Sequence, residues 1–89
     1  MLKEKHFNKK KEGEFYIQVL AENLKNIHFD ISQEELAEAA QISVNEVSKI
    51  ERKIINPGLA TLVALAKGLE LDIGTLLTPD LDVSKLNPP

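Results

Sequence analysis

The chain has 89 residues, a formal charge of −3 and no cysteine, so it fits one small domain that must be held by packing, with no disulfide to brace it. No apolar stretch of signal-peptide length follows the N-terminal lysines, and the longest apolar run, residues 62–66, is far too short to cross a bilayer; the expectation is a soluble, cytoplasmic protein without a membrane partner. The acidic sum opposes nucleic-acid binding, but residues 1–29 carry six lysines against four acids while residues 30–89 carry five basic groups against ten acids, and a groove contact answers to local charge rather than to the total.

In chain order, residues 1–12 are polar and lysine-rich, with Lys9, Lys10 and Lys11 consecutive and no apolar period. They read as a flexible arm that Gly13 closes, giving an arm over 1–13. From Glu14 the spacing becomes helical: Ile17, Leu20, Ala21 and Leu24 line one face. This first helix should end near Asn26, and Ile27, Phe29 and Ile31 of the following connection should tuck onto the core.

The next twenty residues, SQEELAEAAQISVNEVSKIE from Ser32 to Glu51, hold two helix starts. Ser32 with Glu35, and Ser43 with Glu46, have the spacing of a capping box, which satisfies backbone N–H groups left unpaired at a helix start. Starts this close predict a helix over Gln33–Ala40, a turn at Gln41 and Ile42, and a second helix from Val44 to Arg52, in other words a helix-turn-helix. Leu36, Ala37 and Ala40 face inward from the first, and Val47 and Ile50, continued by Ile54, from the second. Asn56, Pro57 and Gly58 break the chain and restart it. A fourth helix is expected over Leu59–Lys67, with Leu59, Leu62, Val63 and Ala66 inward and Gly68 near its C-terminal cap. Asp72 can cap a last short helix, Ile73–Leu77, and the prolines beyond argue for an extended tail over 79–89. The result is an all-α domain over 14–78.

At about 100° per residue, Val47, Ile50 and Ile54 cluster on one side of the third helix while Asn45, Lys49 and Arg52 lie opposite. Asparagine can pair bidentately with adenine, lysine can donate to guanine acceptors, and Val44 can touch a thymine methyl. Arg52 and Lys53 suit phosphates. The alternative is that Asn45, Lys49 and Arg52 form a plain solvated face. Gln33, at a helix start, can meet a phosphate oxygen or be an ordinary surface glutamine. The candidate DNA-contacting set is therefore Gln33, Ser43, Val44, Asn45, Ser48, Lys49, Arg52 and Lys53. Glu46 is assigned to its cap, and Glu51, beside the packing face, is expected to be partly buried and paired, with Lys25 as the candidate partner.

Catalysis has little to stand on. There is no cysteine nucleophile, no His-Glu-x-x-His zinc motif and no glycine-rich phosphate loop among four scattered glycines. His6 falls in the arm and His28 in a loop. Neither implies a metal, and no cofactor is implied.

The segment SQEELAEAAQISVNEVSKIERKIINPGLATLVALAKGLELDIGTLL, within a match spanning residues 20–77, resembles the phage repressor and Cro family of Xre-type helix-turn-helix regulators. The resemblance implies a compact five-helix, lambda-repressor-like domain whose third helix enters the major groove of double-stranded DNA. It places Gln33 on the DNA backbone, Val44, Asn45 and Lys49 on bases, Ser43 as a cap that also touches phosphate, and residues 52–56 on the backbone. It further implies a homodimer on a pseudo-palindromic operator with half-sites about 34 Å apart, and hence a transcriptional repressor. Gln41 and Lys53 stand where the family usually has glycine, so a left-handed backbone there would be strained. The alternative is an antitoxin or protein-interaction module on the same fold, with a toxin as partner. Leu81, Val83 and Leu86 give the tail an apolar series that either serves such a contact or folds back.

Overall fold

A computed structural model describes residues 8–27, 31–82 and 86. Five α-helices are present among them: α1 (Lys9–Ile27), α2 (Gln33–Ala40), α3 (Val44–Glu51), α4 (Leu59–Gly68) and α5 (Ile73–Leu76). No strand occurs among the described residues. Helix α2 packs on α3 and α4, α1 on α3, and α4 on α5. Their shared interior is Leu20, Leu24, Ile27, Leu36, Ala37, Ala40, Val47, Ile50, Leu65, Ala66, Leu69 and Leu76. Each large side chain sealed there contributes about 1.5–3 kcal/mol from apolar burial.

Helix α1 starts earlier than the sequence suggests. The segment read as arm through Gly13 is already helical from Lys9, because Asn8 caps it: the Lys11 N–H donates to Asn8 Oδ1 at 3.0 Å and the Glu12 N–H to the Asn8 carbonyl at 2.9 Å. Lysine and glutamate are good helix formers, and an exposed glycine costs such a turn only about 1 kcal/mol. The remainder of the expected arm, with His6, lies outside the described residues, as do His28, Phe29 and Val83.

At the ends of α2, α3 and α4 the chain makes the same six-to-one turn. The Ile42 N–H donates to the Ala37 carbonyl, the Ile54 N–H to Lys49 and the Leu71 N–H to Ala66, at 3.0, 2.9 and 2.8 Å. The residue before each is left-handed: Gln41 (φ 59°), Lys53 (φ 64°) and Glu70 (φ 57°). These are Schellman motifs in which a side chain stands where glycine is at ease. The left-handed step at Lys53 ends the helical period, so Ile54, expected inside, is 58% exposed, and Ile55 packs against the core instead.

The packing face of α4 is also displaced from expectation. Leu65 and Ala66 are buried, with Leu62 half-buried and Leu69 buried just beyond, whereas Leu59 and Val63 are exposed. Gly68 ends α4 against α2 rather than capping it. A Cβ built on it would lie 2.9 Å from the Ala39 carbonyl carbon and 2.9 Å from the Ala40 nitrogen. The absent side chain is what lets these two helices touch backbone to backbone.

Asp72 occupies the N-cap of α5 without a side-chain cap hydrogen bond. That short helix is instead secured from α1, where buried Asn23 donates through Nδ2 to the carbonyls of Leu76 (2.7 Å) and Thr78 (3.1 Å). The tail is not extended at its start: Pro79 and Asp80 form a turn, with Asp80 left-handed at φ 54°. Leu86 is half-buried and packs against the core.

Candidate nucleic-acid interface

The two serine signals place α2 and α3. At α2 the capping box is complete: the Glu35 N–H donates to Ser32 Oγ at 3.1 Å and the Ser32 N–H to Glu35 Oε1 at 2.9 Å. The Ser32 backbone N–H, then its hydroxyl, holds the Glu35 carboxyl below its ordinary pKa of 4.5. At α3 the serine half is present, with the Glu46 N–H donating to Ser43 Oγ at 3.0 Å. Ser43 itself is exposed.

Helix α3 is sharply two-sided. Val47 and Ile50 have no exposed surface. On the other side Asn45 and Arg52 are exposed and Lys49 is half-buried, while Val44 is exposed at the helix start and Ser48 half-buried. The helix has eight residues, and an α-helix with its side chains is about 10–12 Å across, which suits a major groove of about 12 Å width. Lys49, Arg52 and Lys53 gather the positive charge at its C-terminal end, where the helix dipole also favours cations.

Gln33 and Glu51 join the two helices. Gln33 is the first residue of α2 and half-buried; its Nε2 donates to Glu51 Oε1 at 3.0 Å. Glu51, the last residue of α3, is only 6% exposed. The hydrogen bond expected of Lys25, which is exposed on α1, is thus supplied by a neutral amide. The structure brings Gln33, Ser43, Val44, Asn45, Ser48 and Lys49 onto α2, α3 and the turn between them, with Arg52 and Lys53 just beyond.

Two features escape sequence reasoning. Asn23 sits inside the stripe of Leu20, Leu24 and Ile27, and a polar residue in that register signals a buried hydrogen bond without naming its partner. The partnership of Gln33 with Glu51 depends on the angle between α2 and α3, which no local pattern carries.

Among the described residues, no group of acidic or histidine side chains is placed to hold a metal ion, and no helix is long and apolar enough to cross a membrane. Residues 21–76 match the model of the helix-turn-helix family. The chain is also similar to the control protein C.SmaI of Serratia marcescens, 41% identical over 64 residues that cover 68% of this chain and 75% of that protein. No solved structure matches it.

Proposed function

The chain belongs to the helix-turn-helix family and is a DNA-binding transcriptional regulator rather than an enzyme, and from that premise we propose that it is a homodimeric repressor reading a pseudo-palindromic site through α3. The observation carrying this reading is the division of α3, with Val47 and Ile50 sealed and Val44 and Asn45 outward. Val44, Asn45 and Lys49 then meet base edges, with Ser48 beside them. Gln33 and Ser43 stand at helix starts, whose N–H groups favour phosphate, and Arg52 and Lys53 neutralise phosphates farther along.

A second copy has an apolar surface to occupy, because Ile54 is 58% and Leu59 70% exposed. Ile54 lies just past the end of α3 and Leu59 opens α4, so a two-fold there would set two reading helices side by side on one face of the duplex. The regulator works in the cytoplasm, where its DNA is. A control role like that in the relative's name fits a repressor of this kind.

Selection from random duplex DNA tests the proposal. Enrichment of one sequence with inverted symmetry supports it, and recovery of no preferred sequence removes it. Sedimentation of the free protein tests the homodimer, which a monomer at high concentration would exclude.

A second reading, contact with another protein such as a toxin, has one observation in its favour. Phe15 and Tyr16 are 48% and 44% exposed, with rings edge to face at 5.0 Å, on the part of α1 upstream of the matched segment. Replacing both with alanine separates the readings: DNA binding is kept, and capture of a toxin is lost.

A further inference from the structure

We propose that Glu51 is a positioning residue for DNA, one that touches no DNA and sets which end of the Gln33 amide faces it. The inference rests on the reading that Gln33 meets a phosphate. An amide can present either its oxygen, which repels a phosphate oxygen, or its NH2 group, which attracts one. An ionised carboxylate accepts hydrogen bonds and cannot donate them, so a Gln33 oxygen turned toward Glu51 would be repelled and the NH2 group is drawn to it. The 3.0 Å contact from Nε2 to Oε1 is that arrangement. It uses one N–H and leaves the second for an acceptor outside.

Glu51 is 6% exposed and is the last residue of α3. An apolar side chain in that register would lack the power to orient an amide on the neighbouring helix. A Gln33 side chain held before DNA arrives also avoids the ordering cost of a free surface glutamine. Because the donor delivered to the phosphate is neutral and contacts no base, the gain is the same on every sequence and adds nothing to the salt slope.

The test measures binding of the full chain to a selected duplex and to a random-sequence duplex of equal length, for wild type, Gln33→Ala, Glu51→Met, the double variant and Glu51→Gln, with thermal unfolding of each as a control. Gln33→Ala and Glu51→Met should each weaken binding about tenfold on both duplexes, the size of one hydrogen bond to a charged group. The double variant should lose no more than either single one. Glu51→Gln, whose amide donates as well as accepts and so no longer dictates the Gln33 orientation, should fall between wild type and Glu51→Met. A purely structural role predicts lower unfolding temperatures and independent losses instead.

If Gln33→Ala weakens binding and a folded Glu51→Met does not, the positioning role is overturned while the phosphate contact stands. If Gln33→Ala changes nothing, both fall together. Should Glu51→Met fail to fold, the Gln33 side-chain amide resonances of the free wild-type protein decide: a rigid side chain supports the proposal, and a freely rotating one overturns it.

Discussion

The Asn23 side chain donates a 2.7 Å hydrogen bond to the carbonyl of Leu76, tying the middle of α1 to the last turn of α5. A second bond from the same nitrogen reaches Thr78 at 3.1 Å. Leu76 is fully buried, and its four-residue helix is too short to stand alone. Asn23→Ala should therefore destabilise the fold by about 1–3 kcal/mol, the cost of leaving a buried carbonyl unpaired. Asn23→Asp should cost more near neutral pH, since it sets a carboxylate against two carbonyl oxygens, and should recover as acid protonates it. Urea unfolding at pH 7 and pH 4 checks both, and equal midpoints for the variants and wild type would refute the clamp.

Gln41 and Lys53 hold left-handed backbone at φ 59° and 64°. A side chain in that region costs about 1–2 kcal/mol, partly offset for glycine by its freer unfolded chain. Gln41→Gly and Lys53→Gly should each stabilise by roughly 0.5–1 kcal/mol. Lys53→Gly carries a further signature: if the lysine meets a phosphate, the slope of log affinity against log salt should fall by about 1. Gln41→Gly should leave that slope alone.

The helix-turn-helix was legible because its information is local. Ser32 and Ser43 fall at both predicted starts, and the bounds of α2 follow from Ser32 and the turn at Gln41. The face of α3 was legible because Val47 and Ile50 share one side of a helix that is otherwise polar except for Val44 at its start. Helix α4 offers Leu59, Leu62, Val63, Leu65 and Ala66 around most of its circumference, so periodicity leaves the inward direction open and contact with α2 at Gly68 decides it. Ile54 was misplaced for a related reason: the helical period was carried past Lys53, where the chain had already turned. The Gln33–Glu51 contact spans 18 residues of sequence and belongs to tertiary geometry.

The α2 cap gives a pH dependence with a definite sign. The folded Glu35 carboxyl sits below its ordinary value of 4.5 because the Ser32 N–H and hydroxyl favour the ionised form. A group with a depressed folded pKa contributes stability above its unfolded pKa, and that contribution is lost as pH falls through the folded value. Glu35→Gln should therefore unfold at a lower temperature than wild type near neutrality. The two curves should converge in acid below 4.5. A gap that stayed constant with pH would show that the charge has no part in the cap.

Asn45 and Lys49 lie one helical turn apart on α3, away from sealed Val47 and Ile50. If they read base edges, replacing either with alanine should cost about 1–3 kcal/mol on the selected duplex. The loss on random-sequence DNA should be smaller, most of all for uncharged Asn45, so the ratio of selected to random affinity should shrink. Repeating the selection with each variant should relax the preference at one position of each half-site. Arg52→Ala should instead weaken both duplexes alike and reduce the salt slope, since a phosphate contact carries no sequence information. The same consensus recovered with Lys49→Ala would show that its ammonium group serves the backbone, leaving Val44 and Asn45 to read the sequence.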